Sequence, residues 1–559
     1  VDKQTGSGAY KLTLVSESIT PWENDLVSHD ATAKEYVVIN STKGHLKEAI
    51  AAANKDYTKI KNLKITGEIS AQDFYFMRDS MENLAALNLK EVIIRGGEQR
   101  LTGGAQGVYP HNDYEIPYEA LRGKKSLNLL VLPDKLTKIG IAAFADDQNI
   151  TGSLIIPEGV TEIEVGAFYD CRSMNGTLSL PSTLKYLGRG IDLWWYGGVF
   201  TYCGFTSELI LPNNLECIAG NNTFAGCEGL HGELRFPEKL TEISDGAFNG
   251  CKSLTGSITI PQGVHKLPTS VFQYCDNLNG TLTLPDGITS IGYNCFQGCA
   301  LKGELKLPKN LTVIADEVFN GCDFSGELVL PKTIRSIGKR AFANNWRLMG
   351  IVEFPEGLQS IGAGAFANCR MIEGLVFPES LESIRAENSY NEDGGAFQGC
   401  YGINSIVCKS DMPAYVQGKV FDGVAKDNFT LEVPESAISQ YQAAPGWCDF
   451  KRIAAHHELV CRPSVACALS TEHKQKLVIN AEGEWEVASK PDWCEVSPAS
   501  GNKKTEVTLT IKGMAKNADS RDGKVVFRLK DKDYTHECSV SQYGYEYGED
   551  EWITLQKAT

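Results

Sequence analysis

Trp194, Trp195 and Tyr196 stand side by side in the stretch Ile191-Asp-Leu-Trp-Trp-Tyr-Gly-Gly198. Such side chains offer flat apolar faces with polar tips, which suit a sugar ring or a protein hot spot. A tryptophan folded back over its neighbours accounts for the same letters. Few other residues carry chemistry. His111, Asn112 and Asp113 supply ligand atoms, but they lie between Gly96 and Tyr118, a Gly- and Pro-bearing stretch that reads as a solvated loop. Glu387-Asn-Ser-Tyr-Asn-Glu-Asp393 has oxygen donors for calcium, yet lacks the Asp-x-Asp-x-Asp-Gly order of a calcium loop. No Cys-x2-Cys or Cys/His cluster occurs among the 17 cysteines, so no metal site is predicted. Gly-x-Ser-x-Gly, His-Glu-x-x-His, phosphate-loop and Gly-x-Gly-x-x-Gly motifs are absent, which predicts neither an enzyme nor a cofactor.

What must position these residues is a repeat. Its clearest copy is Gly232-Glu-Leu-Arg-Phe-Pro237-Glu-Lys-Leu240-Thr-Glu-Ile243-Ser-Asp-Gly-Ala-Phe248-Asn-Gly-Cys251. The phenylalanine returns from Phe144 to Phe421 in steps of 23 or 24 residues with two longer exceptions, and a proline keeps the same beat from Pro133 to Pro378. A fixed period of this length marks a solenoid, whose units bury their apolar faces against one another. Alternation before the proline predicts a short strand ended by the missing N–H. Leu240 and Ile243 then carry the chain through a turn and point inward, and Ala247-Phe248 plugs the space between coils. Nine cysteines, from Cys171 to Cys400, share one slot and read as small buried hydrophobes.

Strand alternation leaves two outward columns that include Ser257, Thr259, Thr281, Thr283, Glu304, Lys306, Glu327, Ile351 and Glu353. Thr259, Thr283 and Lys306 are therefore candidate contacts for an extended polymer or a flat protein surface, although hydroxyl residues also simply suit a stacked solvated sheet. Two coils lengthen at one place, between Leu187 and Phe200 and between Ile384 and Phe397. Insertions of this kind are where repeat proteins usually bind, and the first of them carries the Trp194 cluster.

The pattern Leu-x-Leu-Pro-x-x-Leu-x-x-Ile-x-x-x-Ala-Phe-x-x-Cys resembles the BspA-like, Treponema-type leucine-rich repeat of bacterial surface proteins. The resemblance implies a curved, right-handed leucine-rich-repeat solenoid of parallel β-strand coils with an irregular convex side and an α/β N-terminal cap. It also implies adhesion to host matrix or mucosal components, and no catalytic residues. Residues 36–120 fit the cap and degenerate first coils, with strands near Val37 and Leu63 and helices at His45–Ala53 and Ala71–Asn83; residues 1–35 read as a tether. The repeats and a terminal coil with Tyr441, Trp447 and Phe450 fill 121–455.

From 456 to 545 the text changes to short alternating strands with turns, as in an all-β immunoglobulin-like sandwich, and 546–559 is left as a tail. Trp485, Pro491-Asp-Trp493, Ser497-Pro-Ala-Ser-Gly501, Arg521-x-Gly523 and Val540-Ser-Gln542 resemble a BACON domain, with Cys494 where that family usually has an aliphatic residue. That resemblance implies an extracytoplasmic protein, often one handling carbohydrate, in which the module binds glycans or serves as a spacer. Few contacts should cross the linker near Ala454–Glu458. Alternation turns Cys494 and Cys538 inward on different strands, where they either meet as a disulfide or remain two buried thiols.

A net charge of −16 argues against nucleic acid or an anionic membrane as partner, and no apolar run reaches membrane-spanning length. The chain opens on Val1 rather than Met, as expected once an export signal has been removed. The expected protein is an adhesion or protein-interaction solenoid at the cell surface, either a lipoprotein or secreted, whose partner is a host matrix or surface protein. The alternative is a glycan- or mucin-binding protein of a polysaccharide-capture system.

Overall fold

The computed structural model describes residues 35–100, 108–190, 197–385, 394–456, 459–515, 518–532 and 534–544. Successive coils of the solenoid join along three lines. The first is the strand that ends at the repeat proline. Toward the end of the array it forms one parallel sheet, in the order Lys302–Gly303, Asp323–Glu327, Arg347–Glu353, Met371–Phe377, Ser405–Cys408, Leu431–Val433 and Ile453–Ala455. The second line corrects the expectation of a turn at Leu240 and Ile243. Both side chains are buried, but Glu242–Ile243 is itself a strand, paired in parallel with Cys217–Ile218 in a ladder that reaches back to Glu115–Ile116. Two residues hold too little alternation to announce a strand in sequence. Along the third line the phenylalanine turns are bonded directly. Phe248 N–H donates to the Val271 carbonyl at 2.9 Å and Gly250 N–H to that of Gln273 at 2.8 Å. Backbone polar groups on three sides are thus satisfied by neighbouring coils, as buried amides require.

Phe144 to Phe397 form one buried column, with neighbouring ring centroids 5.2 to 5.7 Å apart. Nearly parallel rings at that separation are slipped, the offset stacking that aromatic quadrupoles favour. Phe421 continues the column, and Trp447 and Phe450 close it with centroids 5.3 and 5.5 Å from Phe421. At the other end Val37–Ser41, Asn62–Ile69, Ala86–Asn88 and Leu129–Val131 make a parallel sheet, flanked by the helices Leu46–Ala52 and Ala71–Ser80. Buried Asp73 ties this cap together by accepting the Gly44, Leu46 and Ser70 N–H groups.

The cysteine slot asks for more than small size. Cys227, Cys251 and Cys275 direct their thiols to the carbonyls of Phe200, Phe224 and Phe248, one coil back, at 2.9, 3.1 and 3.1 Å. Asn345 takes the same slot in the Phe342 coil, and its Nδ2 donates to the Phe319 carbonyl at 2.8 Å. From the Phe168 coil to the Phe397 coil the slot therefore holds a buried hydrogen-bond donor, which cysteine supplies while otherwise behaving as a small hydrophobe; in the outer Phe144 and Phe421 coils it holds Asp147 and Val424 instead. Burial pushes the Cys227 and Cys275 thiols from 9.0 up to about 12. Of the 17 cysteines only Cys448 is exposed. Iodoacetamide should consequently label Cys448 alone in the native protein, since the thiolate is the reactive form. Peptide mass spectrometry that finds the column thiols labelled at a comparable rate would contradict this packing.

After 456 a second set of strands has its own core around Leu477, Trp485, Leu509, Phe527 and Val540. Two sheets face each other. One runs Leu459–Arg462, His473–Ala481, Thr505–Ile511, Cys494–Ser497; the other runs Val465–Ala468, Thr535–Gln542, Arg521–Leu529, Glu484–Ser489, Ser500–Asn502. The sequence reading lacks the first pair of short strands, because Pro463 interrupts what looks like a single linker. In the fold the chain changes sheets there, running antiparallel to His473–Ala481 before Pro463 and parallel to Thr535–Gln542 after it. Cys494 and Cys538 are both buried free thiols on opposite sheets, and the Cys538 thiol turns to the Pro463 carbonyl at 3.7 Å, as that of Cys461 does, rather than joining Cys494.

Candidate binding face

From Ile210 to Glu353 the residue two places before the repeat proline points out of the strand line. Thr259 sits beside Thr283 in the pairing of Ile258–Thr259 with Leu282–Thr283, and Lys306 is bridged to Val329 on the next coil. These three candidates thus share one column, all exposed. The same frame places Ile210, Arg235, Val329 and Glu353 in it. Ile210 and Val329 are 68% and 69% exposed, so Ile351 is not the lone aliphatic exception on this face. Alternation concealed them, because Leu209-Ile-Leu211 and Leu328-Val-Leu330 read as unbroken apolar runs. Counting back from the proline is the signal that finds them. Glu233 pairs with Arg235 at 2.7 Å and Glu304 with Lys306 at 3.5 Å, exposed ion pairs that hold little energy.

Toward the C-terminus the column changes character. Glu353, Val376, Val407 and Glu432 follow one another by strand pairing, and Val407 is only 7% exposed. Here the second set of strands touches the array. Arg462 forms an ion pair with Glu353, Ser464 Oγ donates to Glu373 at 3.0 Å, and the Tyr534 hydroxyl donates to Glu432 at 2.6 Å. Glu432 also meets His456 at 2.7 Å. Burial beneath this joint raises the Glu373 carboxyl above its usual range. The two apolar cores stay separate, and the few contacts across the linker make a polar joint.

A further exposed group was missed. Trp346 and Tyr401 each lie four residues after a repeat phenylalanine, are 58% and 64% exposed, and flank Arg370 at the same position of the coil between them. The Arg370 guanidinium stands 5.9 Å from the Trp346 ring. Trp194, Trp195 and Tyr196 lie outside the described residues, as does 387–393.

The candidate loop at 96–118 is corrected in part, since Gly97–Arg100 and Val108–His111 pair as an antiparallel hairpin. His111 Nδ1 meets the Gly97 carbonyl at 3.0 Å, Asp113 binds Arg95 and the Gly96 N–H, and Asn112 binds Glu115. These groups close the hairpin. Among the described residues no group of three or more His, Cys, Asp or Glu is placed to hold a metal ion. A depression of about 550 Å³ near Arg78 and Arg122 has polar walls already joined in pairs, with Glu119 2.6 Å and Asp146 3.3 Å from Arg122.

The signature residues of the C-terminal strands are likewise used internally. Trp485 is buried, and a Cβ at Gly501 would come within 2.8 Å of its ring. Gly523 leaves room for Pro491 and Trp493 in the same way. The Arg521 guanidinium covers the Trp493 ring at 4.5 Å and bonds Gln542 at 2.6 Å.

The BspA type leucine rich repeat region model matches six copies over 114–191, 196–325, 274–393 and 319–443, and the BACON model matches 483–543. Neither is a catalytic family. A leucine-rich repeat protein from Bacteroides ovatus is 19% identical with a TM-score of 0.44, covering 65% of this chain and 98% of that one. A leucine-rich cell surface protein from Faecalibacterium prausnitzii is 21% identical with a TM-score of 0.31, covering 66% and 82%. The leucine-rich repeat protein of T. pallidum is 26% identical with a TM-score of 0.23, covering 36% and 74%. A search of curated protein sequences finds no match. Among the described residues no helix is long and apolar enough to cross a membrane.

Proposed function

Since this chain belongs to the BspA-type leucine-rich repeat family, we propose that it is a non-enzymatic binding protein of the bacterial surface or its surroundings, a lipoprotein or secreted. Its partner is a host matrix or surface protein, held on the strand face from Ile210 to Val329. One observation carries this reading: that stretch of the outward column is open and mixes hydroxyls, charges and two exposed aliphatic side chains, while its continuation lies under the β domain. A mixed surface of this kind has the composition of a protein–protein interface rather than of a small-molecule pocket. The internal use of Trp485, Trp493 and Arg521 supports the β domain as a spacer.

A second reading, glycan binding, draws on the Trp346–Arg370–Tyr401 ridge and on the Trp194, Trp195, Tyr196 insert. Immobilised extracellular-matrix proteins and a glycan array discriminate the two. Thr283→Arg with Val329→Asp should weaken a matrix-protein complex by at least about tenfold, close to 1.4 kcal/mol, at unchanged melting temperature. A glycan signal lost only in Trp346→Ala/Tyr401→Ala or Trp194→Ala/Trp195→Ala would transfer the function to the second reading. Binding indifferent to all three variants would sink both.

A further inference from the structure

We propose that Cys461 and Cys538 are a redox pair that closes to a disulfide between the two sheets of the C-terminal domain, a step that rests on the extracytoplasmic placement above. Cys461 lies on Leu459–Arg462 in one sheet and Cys538 on Thr535–Gln542 in the other. Both are fully buried, and both thiols point at one atom, the Pro463 carbonyl oxygen, each at 3.7 Å. The fold explains the meeting. The chain leaves one sheet at Pro463 and joins the other beside Thr535–Gln542, where Ser539 N–H donates to the Ser464 carbonyl at 2.8 Å. Two cysteines 77 positions apart are thereby brought to the crossover.

The chemistry requires a disulfide oxidant of the glutathione class. One thiolate attacks oxidised glutathione, forming a mixed disulfide and releasing one glutathione thiol. The second thiolate attacks that mixed disulfide and releases the other. Two protein thiols lose two protons and two electrons, one S–S bond forms, and the glutathione disulfide is reduced to two thiols. Because neither sulfur reaches solvent in the folded protein, exchange belongs to folding, or to opening of Leu459–Arg462, an edge strand.

Closure would have an effect beyond the domain. Arg462 and Ser464, which flank the crossover, bind Glu353 and Glu373; Tyr534, beside the Cys538 strand, binds Glu432. The bond therefore pins both segments that hold the β domain on the array.

The full chain, refolded in a mixed oxidised and reduced glutathione buffer, should give a Cys461–Cys538 cross-linked peptide in a non-reducing map. Amides of Thr535–Gln542 should exchange with deuterium at least about tenfold more slowly than in the chain refolded with dithiothreitol, since opening now works against a covalent constraint. Cys461→Val, which keeps an apolar side chain of similar size, should abolish both effects, and Cys494→Ala neither. A Cys494–Cys538 cross-link, two free thiols, or protection that survives in Cys461→Val would overturn the assignment. The pairing is read in vitro, so a reduced chain isolated from cells would count against the extracytoplasmic placement and not against the pair.

Discussion

Replacing Phe272 with alanine is expected to lower the stability of the central coils by about 3 to 5 kcal/mol. The ring is fully buried, stacked on Phe248 at 5.7 Å and Phe296 at 5.4 Å, with Phe236 edge-on at 6.1 Å. Truncation removes its transfer free energy and leaves a cavity between rigid neighbours whose backbones are bonded on three sides. Solenoid stability is a sum of coil and nearest-neighbour terms, so damage at one interface uncouples the parts on either side. Urea unfolding should broaden or split into two transitions, and deuterium exchange should accelerate first between Phe248 and Phe296. Phe272→Leu, which keeps most of the volume, should cost under about 1.5 kcal/mol. A loss below about 1 kcal/mol in the alanine variant would show that the column does not hold the coils together.

Trp447→Ala should be of similar size, about 3 to 5 kcal/mol, with its consequences confined to the end of the array. Its indole is 1% exposed, lies 5.3 Å from Phe421 and 5.4 Å from Tyr441, and donates Nε1–H to the Ala414 carbonyl at 2.9 Å. Removing it leaves that carbonyl unpaired and opens the last apolar face, which terminal coils exist to close. Concentration-dependent association in sedimentation, together with dye binding to exposed apolar surface, is the expected signature. Trp447→Phe, which retains the ring but not the N–H, should cost about 1 kcal/mol and remain monodisperse. A monodisperse alanine variant of unchanged stability would remove Trp447 from the cap.

The coil was legible in the sequence because two residue types report one period. Phe248 and Pro237 keep their phase across the array, and the burial of the whole phenylalanine column follows from that phase alone. The second strand line at Glu242–Ile243 was not legible, since two residues cannot display a period. The cysteine slot read as small and apolar; Asn345, donating to the corresponding carbonyl one coil back, exposes the hydrogen bond that the inner coils make there. Of the candidate site, Thr259, Thr283 and Lys306 were found by alternation. Ile210 and Val329 were lost in apolar runs, and Trp346 and Tyr401 stand at a position of no fixed type. The joint was beyond reach for another reason. Arg462 and Glu353 are 109 positions apart and belong to modules with unrelated periodicities, so no pattern connects them.

The joint has a consequence for how such a gene can change. Among the described residues, Glu353, Glu373 and Glu432, which bind the β domain, lie on the coils from Glu353 onward, whereas the open face ends at Val329. Repeats of one length allow whole coils to be added or deleted in register. Gain or loss of one between Arg235 and Lys306 would lengthen or shorten the face by about 4.8 Å, one strand spacing, and leave cap, joint and terminal coil untouched. A lineage carrying this arrangement can alter its reach by copy number alone, without a compensating substitution anywhere else in the chain.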